Sequence, residues 1–165
     1  MILGKDRNKA LFEAVNKGQL KPAKRILEKG ADINTRDDLG ATPLMHASHG
    51  GEIDIVKLFL DKGADVNVTA VTGKSSLILA SQSGNMSIIK MLLDKGAYVN
   101  ARDAYGATAL MYASYKGPII VVELLLDRGA DINVRDNHGH TAMMYAYKER
   151  RWEVVKLLQE GNADY

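Results

Sequence analysis

The stretch whose reading decides the fold runs from Asp37 to Thr69, DDLGATPLMHASHGGEIDIVKLFLDKGADVNVT. It opens on a turn: in Asp37-Asp38-Leu39-Gly40 an Asp side chain can accept from its own backbone two residues on, and Gly supplies the positive φ of a tight turn. Thr42 then stands as a helix N-cap, with Pro43 at the first helical position. Leu44 and Ala47 lie three residues apart and share one helix face. Gly51 ends this first short helix. Ile53, Val56, Phe59 and Leu60 give a second helix its apolar stripe, and Gly63 follows as a left-handed C-terminal cap.

The same plan recurs along the chain with a step of 33 residues. That step relates Gly30, Gly63, Gly96 and Gly129; Asn34, Asn67, Asn100 and Asn133; and Gly40, Gly73, Gly106 and Gly139. Ala14, Ala47, Ala80, Ala113 and Ala146 form a further register, as close helix–helix approach demands of a small residue. A fixed period held at so many positions is the mark of a stacked repeat array. The unit DxxGxTPL…A…G…IVKLxLxKGADVN resembles the ankyrin repeat over nearly the whole chain. The resemblance implies an all-α solenoid of about five helix-turn-helix units joined by hairpin-like turns, with almost no strand. Residues 1–165 then form a single domain, divided into units 5–36, 37–69, 70–102, 103–135 and 136–165.

The end units depart from the pattern in ways that suit caps. In the first, helices are expected from about Arg7 to Asn16 and from Leu20 to Glu28; Lys9-Ala10 replaces the Thr-Pro pair, and Arg25 charges one position of the stripe. A terminal unit has one face without a neighbour, and polar substitution there keeps an array soluble. In the fifth, Gln159 stands where Leu60, Leu93 and Leu126 stand, and Arg150 replaces the Gly between helices. Trp152 falls in a register read as core, and Asn162 is expected to end the last helix in the left-handed conformation. Ser75-Ser76 and Ala70 soften the third turn, while Pro118 is expected to begin the second helix of the fourth unit. The family's histidine after Thr-Pro-Leu braces the neighbouring turn. Here that register holds Met45, Ile78, Met111 and Met144, so the resemblance implies turns without that brace. His46, one residue on, reads as a half-buried helix residue.

Composition excludes several classes of function. The chain is 46% hydrophobic and 25% charged, the balance of a soluble globular protein. Met1-Ile2-Leu3 is too short an apolar run for a signal peptide, and no segment approaches a membrane span. The absence of cysteine removes disulfides, thiolate metal sites and cysteine catalysis, and is compatible with the cytoplasm, the expected location. No nucleophile or acid–base constellation suggests an enzyme. The Asp and Asn residues occupy turn registers, where local hydrogen bonding accounts for them. His138-Gly139-His140 is the sharpest chemical candidate, but two imidazoles are too few for a structural metal site. No cofactor is expected.

What remains is recognition by a monomeric scaffold. The net charge of +2 gives no drive toward nucleic acid. Residues 1–36 nevertheless carry nine basic against four acidic side chains, so the first unit offers an alternative surface for an acidic or nucleic-acid partner. Phe12, the one aromatic there, reads as core. The resemblance implies that another protein is bound through the turn tips and the inner faces of the first helices, on the concave side. Carried onto this sequence, those registers single out Leu39, Lys74, Tyr105, His138 and His140 at the tips and Tyr115 and Lys148 on the helices. All seven tyrosines and the tryptophan follow residue 97, which concentrates the expected interface in the C-terminal half.

Overall fold

A computed structural model describes residues 4–163; Met1 to Leu3, Asp164 and Tyr165 lie outside it. Ten helices follow one another in pairs: α1 (Gly4–Asn16) and α2 (Leu20–Glu28), α3 (Pro43–Gly50) and α4 (Ile53–Asp61), α5 (Ser76–Ser83) and α6 (Met86–Asp94), α7 (Ala109–Lys116) and α8 (Ile119–Asp127), α9 (Ala142–Lys148) and α10 (Trp152–Ala163). First helices stack on first helices and second on second, each unit touching its neighbours. Among the described residues, extended pairing is confined to the isolated bridges Thr69–Ser75 and Arg102–Thr108.

The side chains explain the layers. Thr42, Ser75, Thr108 and Thr141 each accept from the backbone N–H three residues on, at 3.3, 3.3, 3.4 and 3.4 Å, and start the four later first helices. The alanine register is buried throughout and brings these helices together. Between the layers sit Ile55, Val56, Phe59 and Leu60 of α4 and their equivalents. This corrects the expected stripe. Ile53 lies about 90° round the helix from the centre of that face and is 44% exposed. Trp152 shares its register and is 56% exposed, so it is no core residue. Phe12 is half-buried, its ring edge-on to His46 at 5.2 Å. Gln159 and Arg25 are exposed, in keeping with their polarity.

Helix ends differ from expectation at three places. α1 begins at Gly4 rather than Arg7, because without the Thr-Pro stop the helix runs back through that register. Arg150 takes the left-handed conformation of the glycine it replaces, at φ 55°. α10 runs through Asn162, where continuing the right-handed helix costs less than entering the left-handed region that glycine occupies elsewhere. Pro118 precedes α8 rather than beginning it, and Gly117 is extended (φ −72°, ψ 161°) where Gly51 and Gly84 are left-handed. A residue before proline is driven out of helical space, which accounts for Gly117.

That Gly-Pro step would leave α7 short of donors. In the other later units the residue after this junction donates its N–H to the first helix: Glu52 to Ala47, Asn85 to Ala80 and Arg151 to Ala146. Pro118 has no N–H to give Ala113. The Arg151 guanidinium reaches back from the fifth unit instead, donating to the carbonyls of Ala113 (2.7 Å), Ser114 (2.8 Å) and Gly117.

Two ladders set the spacing of the units. The Asn34, Asn67 and Asn100 side chains accept from the backbone N–H of Asp65, Tyr98 and Asp131, each 31 residues on, at 2.9 Å. Asn67 and Asn100 also donate to the carbonyls of Gly96 and Gly129. These asparagines therefore join one unit to the next and are not local turn formers. The tips are joined by backbone bonds, Val71 donating to Leu39, Ala104 to Thr72 and Asn137 to Tyr105, all at 2.9 Å, and the Asn137 side chain adds a bond to the carbonyl of Ala104 at 3.0 Å.

Candidate functional site: the turn tips and first-helix faces

The tips of the second, fourth and fifth units are each closed by the carboxylate that opens them. One oxygen of Asp37 accepts from the backbone of Leu39 and Ala41, both at 2.9 Å; Asp103 does the same for Tyr105 and Ala107, and Asp136 for His138 and His140. The other oxygen is held from nine residues further on. His46 Nε2 lies 2.8 Å from Asp37, and the hydroxyls of Tyr112 and Tyr145 donate to Asp103 and Asp136 at 2.8 and 2.6 Å. The tips are thus braced after all, from the residue following the family's histidine register. Met45, Ile78 and Met111 are released for packing between units and are buried. The third unit lacks both members of the pair at once, Ala70 and Leu79, and closes its tip through backbone bonds from Gly73 to Ala70 and from Ala70 to Lys74.

The brace shows in the ionisation of its members. Burial alone would raise Asp136, but the bond from Tyr145 and the N–H groups of His140 and His138 outweigh it and hold the carboxyl at about 2, below its ordinary 3.8. Asp37 is lowered too, its burial outweighed by the bonds from His46, Ala41 and Leu39. Burial, with the bond to Asp136, pushes the Tyr145 phenol from 10.0 up to about 12, and Tyr112 is raised likewise by burial and by Asp103. These phenols stay neutral donors near neutral pH.

A cleft of about 350 Å³ opens between the tips and first helices of the fourth and fifth units. Tyr105, Ala107, Tyr115, His138, Tyr145 and Lys148 line it. The rings form a connected set: Tyr115 meets Tyr145 edge-on at 6.2 Å, and His140 meets Tyr145 at 5.9 Å and His138 at 6.0 Å. Tyr105 is 63% exposed at the mouth. Lys74 reaches the edge from the third unit, its ammonium 4.7 Å from the centre of the Tyr112 ring and bonded to Gln82 at 3.0 Å. Leu39 stands away from this group, 67% exposed, and lines another cleft of about 510 Å³ between the first two units with Val15, His46 and His49. Six of the seven residues singled out in the sequence therefore gather around one cleft and its edge. Tyr145 and Lys116, whose ammonium lies 5.0 Å from the centre of the Tyr115 ring, were not anticipated there. The signal for Tyr145 was present in the recurring Asp and His/Tyr nine residues apart.

The sequence profile described as ankyrin repeats (3 copies) matches residues 11–103 and again 77–165. The chain belongs to the ankyrin repeat family. Two overlapping matches of the three-copy profile span the five helix pairs seen in the fold. No curated protein matches the chain. Ankyrin repeats generally mediate protein–protein interaction and are typically non-catalytic. Among the described residues, no group of three or more His, Asp or Glu is placed to hold a metal, and no helix is long and apolar enough to cross a membrane. In the basic first unit, Arg7 donates to the carbonyl of Lys29 and Arg36 to that of Thr69, which ties two of its cations to backbone carbonyls of the ankyrin frame.

Proposed function

We propose that this ankyrin-repeat chain is a non-catalytic scaffold that binds a protein partner through the tips and first helices of its fourth and fifth units. The observation that carries this reading is the cleft in which Tyr105, Tyr115, His138 and Lys148 converge. Tyrosines bury large area at low entropic cost and keep a polar handle, so they dominate interface energies. The frame residues are already accounted for by folding, whereas Tyr105 and His138 make no side-chain hydrogen bond among the described residues. The chain has no cysteine and so needs no disulfide, which is compatible with the cytoplasm, the location we propose.

Replacing Tyr105, Tyr115 and His138 together by Ala should weaken partner binding by at least ~2 kcal/mol while the helical spectrum stays unchanged. The comparison is capture from the source cytoplasm by the parent and by the triple variant, followed by titration of any protein retained by the parent alone. Identical capture by both would move the site to the basic first unit or to the Leu39 cleft.

A further inference from the structure

We infer that the segment received by this cleft is acidic and carries an aromatic or branched aliphatic anchor. The inference rests on the reading of the cleft as a partner site and adds the chemistry of what enters it. The walls are mostly tyrosine rings with Ala107 and Met111, which favour an apolar side chain in a space of about 350 Å³. The rim is cationic. Lys74, Lys116 and Lys148 project from three successive units, and none forms a salt bridge with a carboxylate among the described residues.

Two acids lie close to the lysines, Asp103 and Asp136, and Asp136 is part of the cleft wall. Both are buried with their oxygens engaged by their own tips, so the groups presented to an incoming segment are the lysine ammonium groups and not these carboxylates. Glu149, in the register of Lys116 one unit on, is the partly exposed acid that faces the three lysines. A segment bearing Asp or Glu on either side of its anchor would replace water on these ammonium groups and be steered to them from solution. Single-stranded nucleic acid fits less well. Base stacking needs free ring faces, and those of Tyr115 and Tyr112 each carry a lysine ammonium at 5.0 and 4.7 Å.

The test is selection of a random-peptide display library on the immobilised full chain. Selected peptides should carry Asp or Glu around an aromatic or branched aliphatic residue. Their affinity should fall at least about tenfold in Lys116→Glu/Lys148→Glu, and fall as salt is raised. Circular dichroism checks the fold of that variant, and Lys116→Gln/Lys148→Gln should show a smaller loss in the same direction. A neutral or basic consensus overturns the inference, as does an acidic consensus bound equally by the charge-reversed chain. So does a single-stranded DNA oligomer that competes for the same lysines as tightly as the peptides. Neutral peptides lost with Tyr105→Ala/Tyr115→Ala/His138→Ala would keep the partner site and remove only its acidic preference. If nothing is selected, or the peptides ignore both sets of variants, both readings fail.

Discussion

Asp136 does with one carboxylate what a tip needs done. It accepts two backbone N–H groups that would otherwise be unpaired at the turn, and a phenol that ties the turn to α9. Its pKa is lowered in the fold, so its stabilisation is full above about pH 4 and is lost as pH falls through the folded value of about 2. Tyr145 has the opposite sign: raised from 10.0 to about 12, it contributes fully below pH 10 and loses that contribution as pH rises toward 12. Tyr145→Phe keeps the ring and removes the hydroxyl. It should cost about 1 kcal/mol on a plateau between these limits, and the difference from the parent should narrow at both ends of a denaturation series over pH. A pH-independent difference would mean that the hydroxyl acts only through packing. Glycine offers a second residue-scale contrast. Gly63 and Gly73 are both left-handed, at φ 80° and 73°, but a Cβ on Gly63 meets open space whereas one on Gly73 would lie 2.5 Å from the Ala104 nitrogen. Gly63→Ala should cost about 1 kcal/mol, and Gly73→Ala clearly more, because it must also push adjacent tips away from each other. Equal thermal shifts would show that the inter-tip backbone bond bears little of the stability.

At the scale of elements, the junction between α7 and α8 shows a defect in one unit corrected by a side chain from the next. Pro118 removes the N–H that elsewhere closes the first helix, and Arg151 supplies donors to the same carbonyl, that of Ala113. A cation at a helix C-terminus is further favoured by the helix dipole. The guanidinium is partly buried, and that burial lowers its pKa. Removal should therefore leave carbonyls poorly solvated: Arg151→Ala is expected to cost about 2 kcal/mol. Pro118→Ala restores an N–H in the junction and should make the arginine partly redundant. A double-mutant cycle of denaturant midpoints should then give a smaller cost for Arg151→Ala in the Pro118→Ala background. Strict additivity would show that the arginine acts independently of the proline.

Across the whole molecule, cohesion comes from neighbour contacts repeated along one direction. Each asparagine bond and each tip-to-tip bond crosses one interface between units, and no helix reaches past the adjacent unit with more than marginal contact. Stability should consequently fall with every unit removed. Deleting residues 136–165 uncovers Met111, which is 2% exposed in the intact chain, and takes Arg151 away from α7. The truncated chain should melt at a lower temperature and aggregate, as followed by circular dichroism and light scattering. Unchanged solubility and midpoint would show that the fifth unit does not protect the fourth. The last unit itself presents Met144, 47% exposed in a register buried in the three units before it, together with Tyr147 and Trp152 in edge-to-face contact at 5.2 Å.

Period and local chemistry determined most of the architecture. The 33-residue step, the Thr and Ser caps and the glycine positions decide each helix within a few residues of itself, and such short-range rules are legible in one dimension. The residues around the cleft were legible for the same reason: equal registers in adjacent units fall side by side once the units stack. What tertiary structure alone decided lies between registers. Which side of α4 and α10 meets the core depends on the tilt of one layer on the other, so Ile53 and Trp152 face out where the bare stripe places them in. The partnership of Arg151 with α7 joins atoms 38 residues apart in sequence and of unlike type, and no period announces it. The brace from Tyr145 to Asp136 stands between these cases: its spacing recurs, but only the direction in which the phenol leaves α9 shows that it ends on the carboxylate.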